Sequence, residues 1–155
     1  MANLVGARIE RKEDKKFLTG RGNYTADINL ARQTYACFVR SPHARAKINK
    51  VDISKASKAP GVVKILTGED LVKDKIGGLI AGWKIVSQDG KDMKIPPHPA
   101  LAKDSVNFVG DHVAVVIAET FEEAKNAAEL VNVSYKILKA VVNTSDAMNS
   151  EAIHE

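Results

Sequence analysis

The stretch Phe38-Val-Arg-Ser-Pro-His-Ala-Arg-Ala46 joins two extended segments through a corner that contains proline. Side chains that alternate along the chain flank this corner: Tyr35, Cys37 and Val39 against Ala36, Phe38 and Arg40, then Ala44, Ala46 and Ile48 against Arg45, Lys47 and Asn49. A period of two puts one set of side chains on each face of a strand. Pro42 lacks the amide donor that a ladder needs. The stretch therefore predicts a hairpin-like pair of strands with an irregular corner.

The segment that follows predicts two short helices around a strand. Ser54–Ala59 has a helical composition and ends at Pro60-Gly61, since both residues resist helix continuation. Residues 62–66 (VVKIL) predict a strand. Thr67 then precedes a helical turn, with its hydroxyl expected to face the first free amides.

The last third of the chain has the clearest pattern. Val113–Ala118 is a continuous apolar run, which favours a strand covered on both faces. Thr120 and Glu123 have the spacing of a capping box, so a helix is predicted over 121–130. Its alanine-rich face would let it approach a sheet closely. Residues 131–137 alternate as a further strand. Together these segments predict an α+β domain: a mixed β-sheet with short packed helices.

Composition and spacing divide the chain into an N-terminal extended arm (1–32), a folded domain (33–142) and a C-terminal tail (143–155). The arm is expected to lie across a surface. Within the domain, residues 74–100 are rich in Gly and Pro and predict a long loop with a short hairpin near Trp83. A chain of 155 residues fits one domain of ordinary size.

Charge and cysteine usage bear on partners and location. Residues 1–75 carry 16 Lys and Arg against 8 Asp and Glu, whereas residues 76–155 carry 7 against 11. The basic residues match no nucleic-acid module, so a solvated surface is the favoured interpretation and nucleic-acid binding the weaker one. No stretch reaches the roughly 20 apolar residues of a membrane span. With no export leader visible, the single cysteine, Cys37, predicts a cytoplasmic protein.

No residue pattern predicts catalysis or metal binding. Cys37 and the four histidines (His43, His98, His112 and His154) lack the short spacings of metal ligands, and surface or capping roles are expected for the histidines. Cys37, in an alternating strand, is expected to be a buried and inert thiol. Ser41 lies two residues before His43, but adjacency in sequence is not the geometry of a catalytic triad.

The glycine pairs do not match phosphate-binding motifs, and the acid pairs have a structural explanation. Gly20-Arg-Gly22 lacks the third glycine and the helix of a dinucleotide fingerprint, and Gly77-Gly78 lacks a following Lys-Ser or Lys-Thr. Glu69-Asp70 and Glu122-Glu123 fall in first helical turns, where they complement the helix dipole. We therefore predict no catalytic, cofactor-binding or metal-binding residue in this chain.

Several segments in order nevertheless resemble a known family. They are Glu13-Asp14, Phe17-Leu-Thr-Gly-Arg-Gly22, Tyr24, Asp27, Phe38 to Ala46, Asp52, Ala56, Pro60-Gly-Val62, Leu66-Thr-Gly-Glu-Asp-Leu71, Pro99-Ala-Leu-Ala102, Val109-Gly-Asp-His-Val-Ala-Val-Val-Ile-Ala-Glu-Thr120 and Tyr135. Their order and spacing resemble the N-terminal a/b hammerhead domain of molybdenum hydroxylase large subunits, the carbon monoxide dehydrogenase, aldehyde oxidase and xanthine dehydrogenase family.

This resemblance implies a place in a larger enzyme. Family members carry molybdopterin-bound molybdenum and pass electrons to iron–sulfur clusters and flavin, but their catalytic and cofactor motifs come after this domain and have no counterpart here. The resemblance thus implies a non-catalytic domain that binds no cofactor alone. Its expected partners are the other large-subunit domains and the flavin and iron–sulfur subunits. A free-standing protein-binding module is the alternative. Apolar surface left without its neighbours also predicts a homo-oligomer.

Overall fold

The computed structural model describes residues 5–154, so residues 1–4 of the predicted arm and residue 155 of the predicted tail lie outside it. Contacts among these residues separate two compact units, one that ends at Gln33 and one that begins at Thr34. The first unit contains helix α1 (Asp14–Leu18) and a 3₁₀ turn (Thr25–Asp27), where the sequence predicted only extended chain. The rings of Phe17 and Tyr24 stack with centroids 5.3 Å apart, which holds the two turns together.

The second unit alternates short strands and short helices. Its elements are β1 (Tyr35–Arg40), β2 (Ala46–Asp52), a 3₁₀ turn (Ala56–Lys58), β3 (Val62–Thr67), α2 (Gly68–Lys73), β4 (Ser105–Val106), β5 (His112–Ala118), α3 (Phe121–Glu129), β6 (Asn132–Ile137) and α4 (Thr144–Ala147). No helix within residues 5–154 is long and apolar enough to cross a membrane.

The strands form two three-stranded sheets. The first sheet has the order β1-β5-β3 and the second has the order β4-β2-β6, with antiparallel pairing throughout. The α+β class is confirmed, but the prediction of one mixed sheet is wrong in this respect. Each sheet is assembled from strands far apart in sequence, an arrangement that local alternation of side chains does not reveal.

The predicted hairpin between β1 and β2 is also wrong. The Ser41 amide donates to the Asp111 carbonyl (2.8 Å), and the Gly110 amide donates to the Ser41 carbonyl (2.8 Å). These bonds hold the corner against the residues that precede β5. Pro42 has no amide with which to continue the ladder. The chain therefore leaves the first sheet at the corner and enters the second, where β2 pairs with β6.

Two small cores stabilise these sheets. One packs Ala46, Val106 and Val113 beneath the second sheet, together with Ala102. The other packs Ile65 and Val116 of the first sheet against Ala127 of α3, together with Ala56. Valines are the largest side chains that are fully buried among residues 5–154. The bulkier apolar side chains lie mostly nearer the surface.

Local signals in the sequence fix the helix starts. The Thr120 hydroxyl accepts from the Glu123 amide (3.2 Å), while the Thr120 amide donates to the Glu123 carboxylate (3.1 Å), which confirms the predicted capping box. Before α2, the Thr67 amide and hydroxyl both donate to the Asp70 carboxylate (2.8 Å each), so Thr67 and Asp70 form a capping box at the predicted N-cap. The helix predicted over Ser54–Ala59 is a 3₁₀ turn (Ala56–Lys58) that ends before Pro60, and Gly61 has φ +70°, a left-handed conformation that suits glycine.

The loop over residues 74–100 contains the predicted hairpin. Val86 and Asp92 form an isolated antiparallel bridge, and the Met93 amide donates to the Ile85 carbonyl (2.9 Å). Trp83 lies just before this hairpin and is 81% exposed. The hairpin is thus held by its own backbone and by the Lys84–Asp92 ion pair (2.6 Å).

Candidate functional site

The two faces of the first sheet are packed against other residues to different extents. Register places Phe38 of β1, Val115 of β5 and Leu66 of β3 side by side on one face. Ala36 and Ile117 lie on the same face, one register step along. We call these five residues the outer face. On the opposite face, Val116 and Ile65 pack against α3 and are buried.

The outer face is apolar yet partly open. Phe38 is 44% exposed, Ala36 is exposed, and Val115, Ile117 and Leu66 are half-buried. An antiparallel sheet with one solvated face normally alternates apolar and polar residues. The continuous apolar run in β5 predicted cover on both faces, but residues 5–154 supply a packed helix on one face only.

His112 borders the outer face at the start of β5. Its ring stacks on Phe38 with centroids 4.5 Å apart, and its partner in register is Arg40. The Nε2 atom is buried and has no hydrogen-bond partner among residues 5–154. Burial, and then the nearby Arg40 charge, lowers the pKa of His112. The imidazole therefore favours its neutral form, which differs from the surface or capping role predicted from the sequence.

A separate groove of about 730 Å³ lies between the 74–100 loop and the second sheet. Its walls carry three cationic side chains (Arg45, Lys47 and Lys94), two histidines (His98 and His154) and the ring of Phe108. The ring of His98 meets that of Phe108 edge-on at 6.3 Å. Pro96, Pro97 and Pro99 form part of one wall and offer no amide donors.

The Ser41 side chain contacts the backbone of His43, not its imidazole ring. The buried Ser41 hydroxyl donates to the His43 carbonyl (3.0 Å) and accepts from the His43 amide (3.0 Å). The His43 ring instead meets the ring of Tyr135 edge-on at 5.0 Å. A hydroxyl bonded to its neighbour's backbone is not poised against an imidazole base. This pair shapes the corner between the sheets.

The remaining candidate residues are also dispersed. Cys37 is half-buried in β1 opposite Val116, which makes it less enclosed than predicted. Gly20 and Gly22 follow α1, where the Gly20 amide donates to the Phe17 carbonyl (3.1 Å). Gly78 lies against the His98 backbone, since the Leu79 amide donates to the His98 carbonyl (2.7 Å).

The acid pairs serve the helix starts. The Asp70 carboxylate accepts hydrogen bonds from the Thr67 hydroxyl and amide, and these lower its pKa. Glu123 accepts from the hydroxyl and amide of Thr120. Both acids therefore act as caps, which the sequence predicted for Glu123, whereas it predicted only a favourable position in the helix dipole for Asp70.

Comparison with known proteins decides the family. The family model described as "Aldehyde oxidase and xanthine dehydrogenase, a/b hammerhead domain" matches residues 19–139. The chain belongs to this family. The resemblance to molybdenum hydroxylases and the hammerhead fold type are thereby confirmed.

Relatives of the hammerhead chain agree in sequence and in structure. It is 40% identical to the nicotine 6-hydroxylase large subunit of Paenarthrobacter nicotinovorans over 91% of this chain and 16% of that protein. It is 35% identical to the carbon monoxide dehydrogenase large chain of Afipia carboxidovorans, over 96% of this chain and 17% of that one. The crystal structure of quinoline 2-oxidoreductase from Pseudomonas putida 86 superposes with a TM-score of 0.80 at 35% identity, over 95% of this chain and 18% of that one. The hammerhead chain thus spans less than a fifth of the length of these relatives.

The side chains that could serve as metal ligands are dispersed over the described part of the hammerhead chain. Within residues 5–154, no three His, Cys, Asp or Glu side chains converge as metal ligands do. Cys37 lies in the first sheet, while His98 and His154 line the groove beside the second. We therefore assign no reaction step to these side chains.

Sequence reasoning missed the outer face and the groove. The alternation around Phe38 and the apolar run in β5 were both visible in the sequence. Assigning them to one face required the pairing of β1 with β5, in which Tyr35 pairs with Ala118 and Phe38 with Val115. The walls of the groove are equally distant in sequence, so no local pattern indicated them.

Proposed function

We propose that this hammerhead chain is a non-catalytic domain of a molybdenum hydroxylase large subunit, which packs against the domains that bind the cofactor. The observation that carries the proposal is the imbalance between its core and its surface. The largest fully buried side chains among residues 5–154 are valines, whereas Phe38, Trp83 and Ile80 are 44%, 81% and 92% exposed. Exposed apolar surface on this scale is typical of a domain that is completed by a neighbour.

In this proposal the scaffold supplies shape and no reactive group. The two antiparallel sheets form a wall, the 33–142 region is the hammerhead domain, and residues 1–32 and 143–155 are the arm and the tail. Molybdopterin would be held by other parts of the large subunit. Flavin and iron–sulfur subunits are the further partners that we propose, in a cytoplasmic complex that contacts neither nucleic acid nor membrane.

A test of the proposal is to assay the purified chain for metal and turnover. We expect no bound molybdenum by mass spectrometry and no oxidation of substrate in a dye-linked assay. Purification from the native host should instead recover the chain together with polypeptides that contain molybdenum, flavin and iron–sulfur clusters. Molybdopterin bound by the chain alone, or turnover without partners, would contradict the proposal.

The alternative is a free-standing protein-binding module, and the open outer face would suit that function as well. The identity of the recovered polypeptide separates the two. A partner with the cofactor domains of a molybdenum hydroxylase supports the first proposal, whereas an unrelated partner supports the second.

A further inference from the structure

From Val113 to Ala118 the strand β5 is apolar on both sides, but residues 5–154 pack a helix on only one of them. Val116 faces α3 and is fully buried, whereas Val115, its neighbour in sequence, faces outward and is half-buried. Phe38 lies opposite Val115 across the β1–β5 ladder and is 44% exposed. An apolar face costs free energy when it is left in water, so this pattern indicates a second cover.

The edges of the outer face carry cationic side chains. Arg40 pairs in register with His112 at one end, and Lys64 pairs with Ile117 at the other. The Arg40 guanidinium donates to the Gly110 carbonyl (3.2 Å). Within residues 5–154 neither Arg40 nor Lys64 forms an ion pair. A complementary surface would therefore be apolar at its centre and acidic at its rim.

This charge pattern distinguishes between two possible occupants of the outer face, a second copy of the chain and a neighbouring domain. A second copy packed face to face would bring the Arg40 and Lys64 side chains of both copies to the same interface, where like charges repel. Relatives that contain this domain have more than four fifths of their length outside the matched region. A neighbouring domain is thus available in such proteins and need not share the cationic rim.

We propose that the outer face (Ala36, Phe38, Leu66, Val115 and Ile117) is the surface on which another domain of the molybdenum hydroxylase large subunit docks. The docking partner presents an apolar layer to Phe38 and carboxylates to Arg40 and Lys64. This inference rests on the proposed function and adds the location and chemistry of the contact.

The test compares tagged variants of the chain expressed in its native host. Recovered polypeptides are identified by mass spectrometry, and molybdenum is measured per mole of tagged chain. Phe38→Asp should lower recovery of the cofactor-bearing large-subunit polypeptide about tenfold, because it places a charge in an apolar contact. Arg40→Glu should lower recovery less, and its effect should shrink as salt rises.

The matched control is Ile137→Asp, which puts the same charge at an apolar strand position that is 67% exposed, in the second sheet. It should leave recovery within about twofold of the unmodified chain, since it lies outside the outer face. Circular dichroism verifies that each variant is folded. If Phe38→Asp fails to fold, Ala36→Glu tests the same face at an exposed position with little packing to lose.

Each outcome has a distinct meaning. Recovery of the large-subunit polypeptide with all variants equally would overturn the docking face but leave the proposed function standing. No such polypeptide with the unmodified chain would contradict the proposed function itself. A chain that dimerises in sedimentation and becomes monomeric with Phe38→Asp would show that the cover is a second copy, which also overturns this inference.

Discussion

The two faces of the first sheet are built from the same three strands and end in different environments. On the inner face Val116 and Ile65 lie under α3, and the exposed fractions of their side chains are 0% and 6%. On the outer face Phe38 remains 44% exposed. Apolar character in a strand therefore indicates how much cover the strand requires, and not whether the same chain provides that cover.

Truncation of the two neighbouring valines of β5 should give the largest contrast. Val116→Ala should lower the free energy of unfolding by about 2–3 kcal/mol, because it removes fully buried methyl groups and leaves a cavity. Val115→Ala should cost only about 1 kcal/mol in the isolated chain, since its side chain is half-buried. Urea unfolding measures both. Equal losses would mean that the two faces are equally covered.

Loss of the N-terminal cap of α3 should cause the next largest loss in the free energy of unfolding, because α3 covers the inner face. Thr120→Ala removes the hydroxyl that accepts from the Glu123 amide and should cost about 1 kcal/mol. Thr120→Ser keeps the hydroxyl and should retain most of the stability. If alanine and serine prove equally harmful in urea unfolding, the cap is not what anchors α3.

The pH dependence of stability should reveal His112 at the margin of the outer face. Its pKa in the folded chain is below the ordinary value of 6.5, so the unfolded chain takes up the proton first as pH falls. The stability from the neutral ring is complete above about pH 6.5 and is lost as pH falls below that value toward the lowered pKa. Urea unfolding at pH 7.5 and 5.5 should show this fall.

Two variants test whether His112 is the group that causes this pH dependence of stability. His112→Phe keeps an aromatic ring against Phe38 and should flatten the pH dependence. His43→Gln, at the corner between the sheets, should leave it in place. A fall of equal size in His112→Phe would place the titrating group elsewhere.

The smallest effect is expected in the 74–100 loop. Trp83 is 81% exposed, so Trp83→Ala should change the free energy of unfolding of the isolated chain by no more than about 0.5 kcal/mol. The variant lacks the single tryptophan of the chain, so circular dichroism is the measurement. A loss above about 1 kcal/mol would show that the loop contributes to the core.

Much of the local structure was predictable from the sequence. The Thr120–Glu123 capping box, the strand over Val113–Ala118 and the hairpin after Trp83 all depend on residues within a few positions of each other. These features are encoded by local spacing and by the conformational preferences of Gly and Pro. The resemblance to the molybdenum hydroxylase family followed from the order of such segments.

The arrangement of the sheets was not predictable in the same way. The sequence around Ser41 is typical of a hairpin, but in the structure Ser41 hydrogen-bonds to Gly110 and Asp111, which lie about 70 residues away. The outer face and the groove depend on the same long-range pairings. The environment of His112 could not be inferred either, because its ring stacks on Phe38 of another strand and its buried Nε2 has no hydrogen-bond partner within residues 5–154.

The most direct test of the account is carbene footprinting of the chain alone and of the complex recovered with it from the native host. If another domain completes the first sheet, labelling of Phe38 should fall strongly in the complex, while labelling of Ile137 in the second sheet stays the same. Equal labelling of Phe38 in the free chain and in a complex that contains the large-subunit polypeptide would contradict the account.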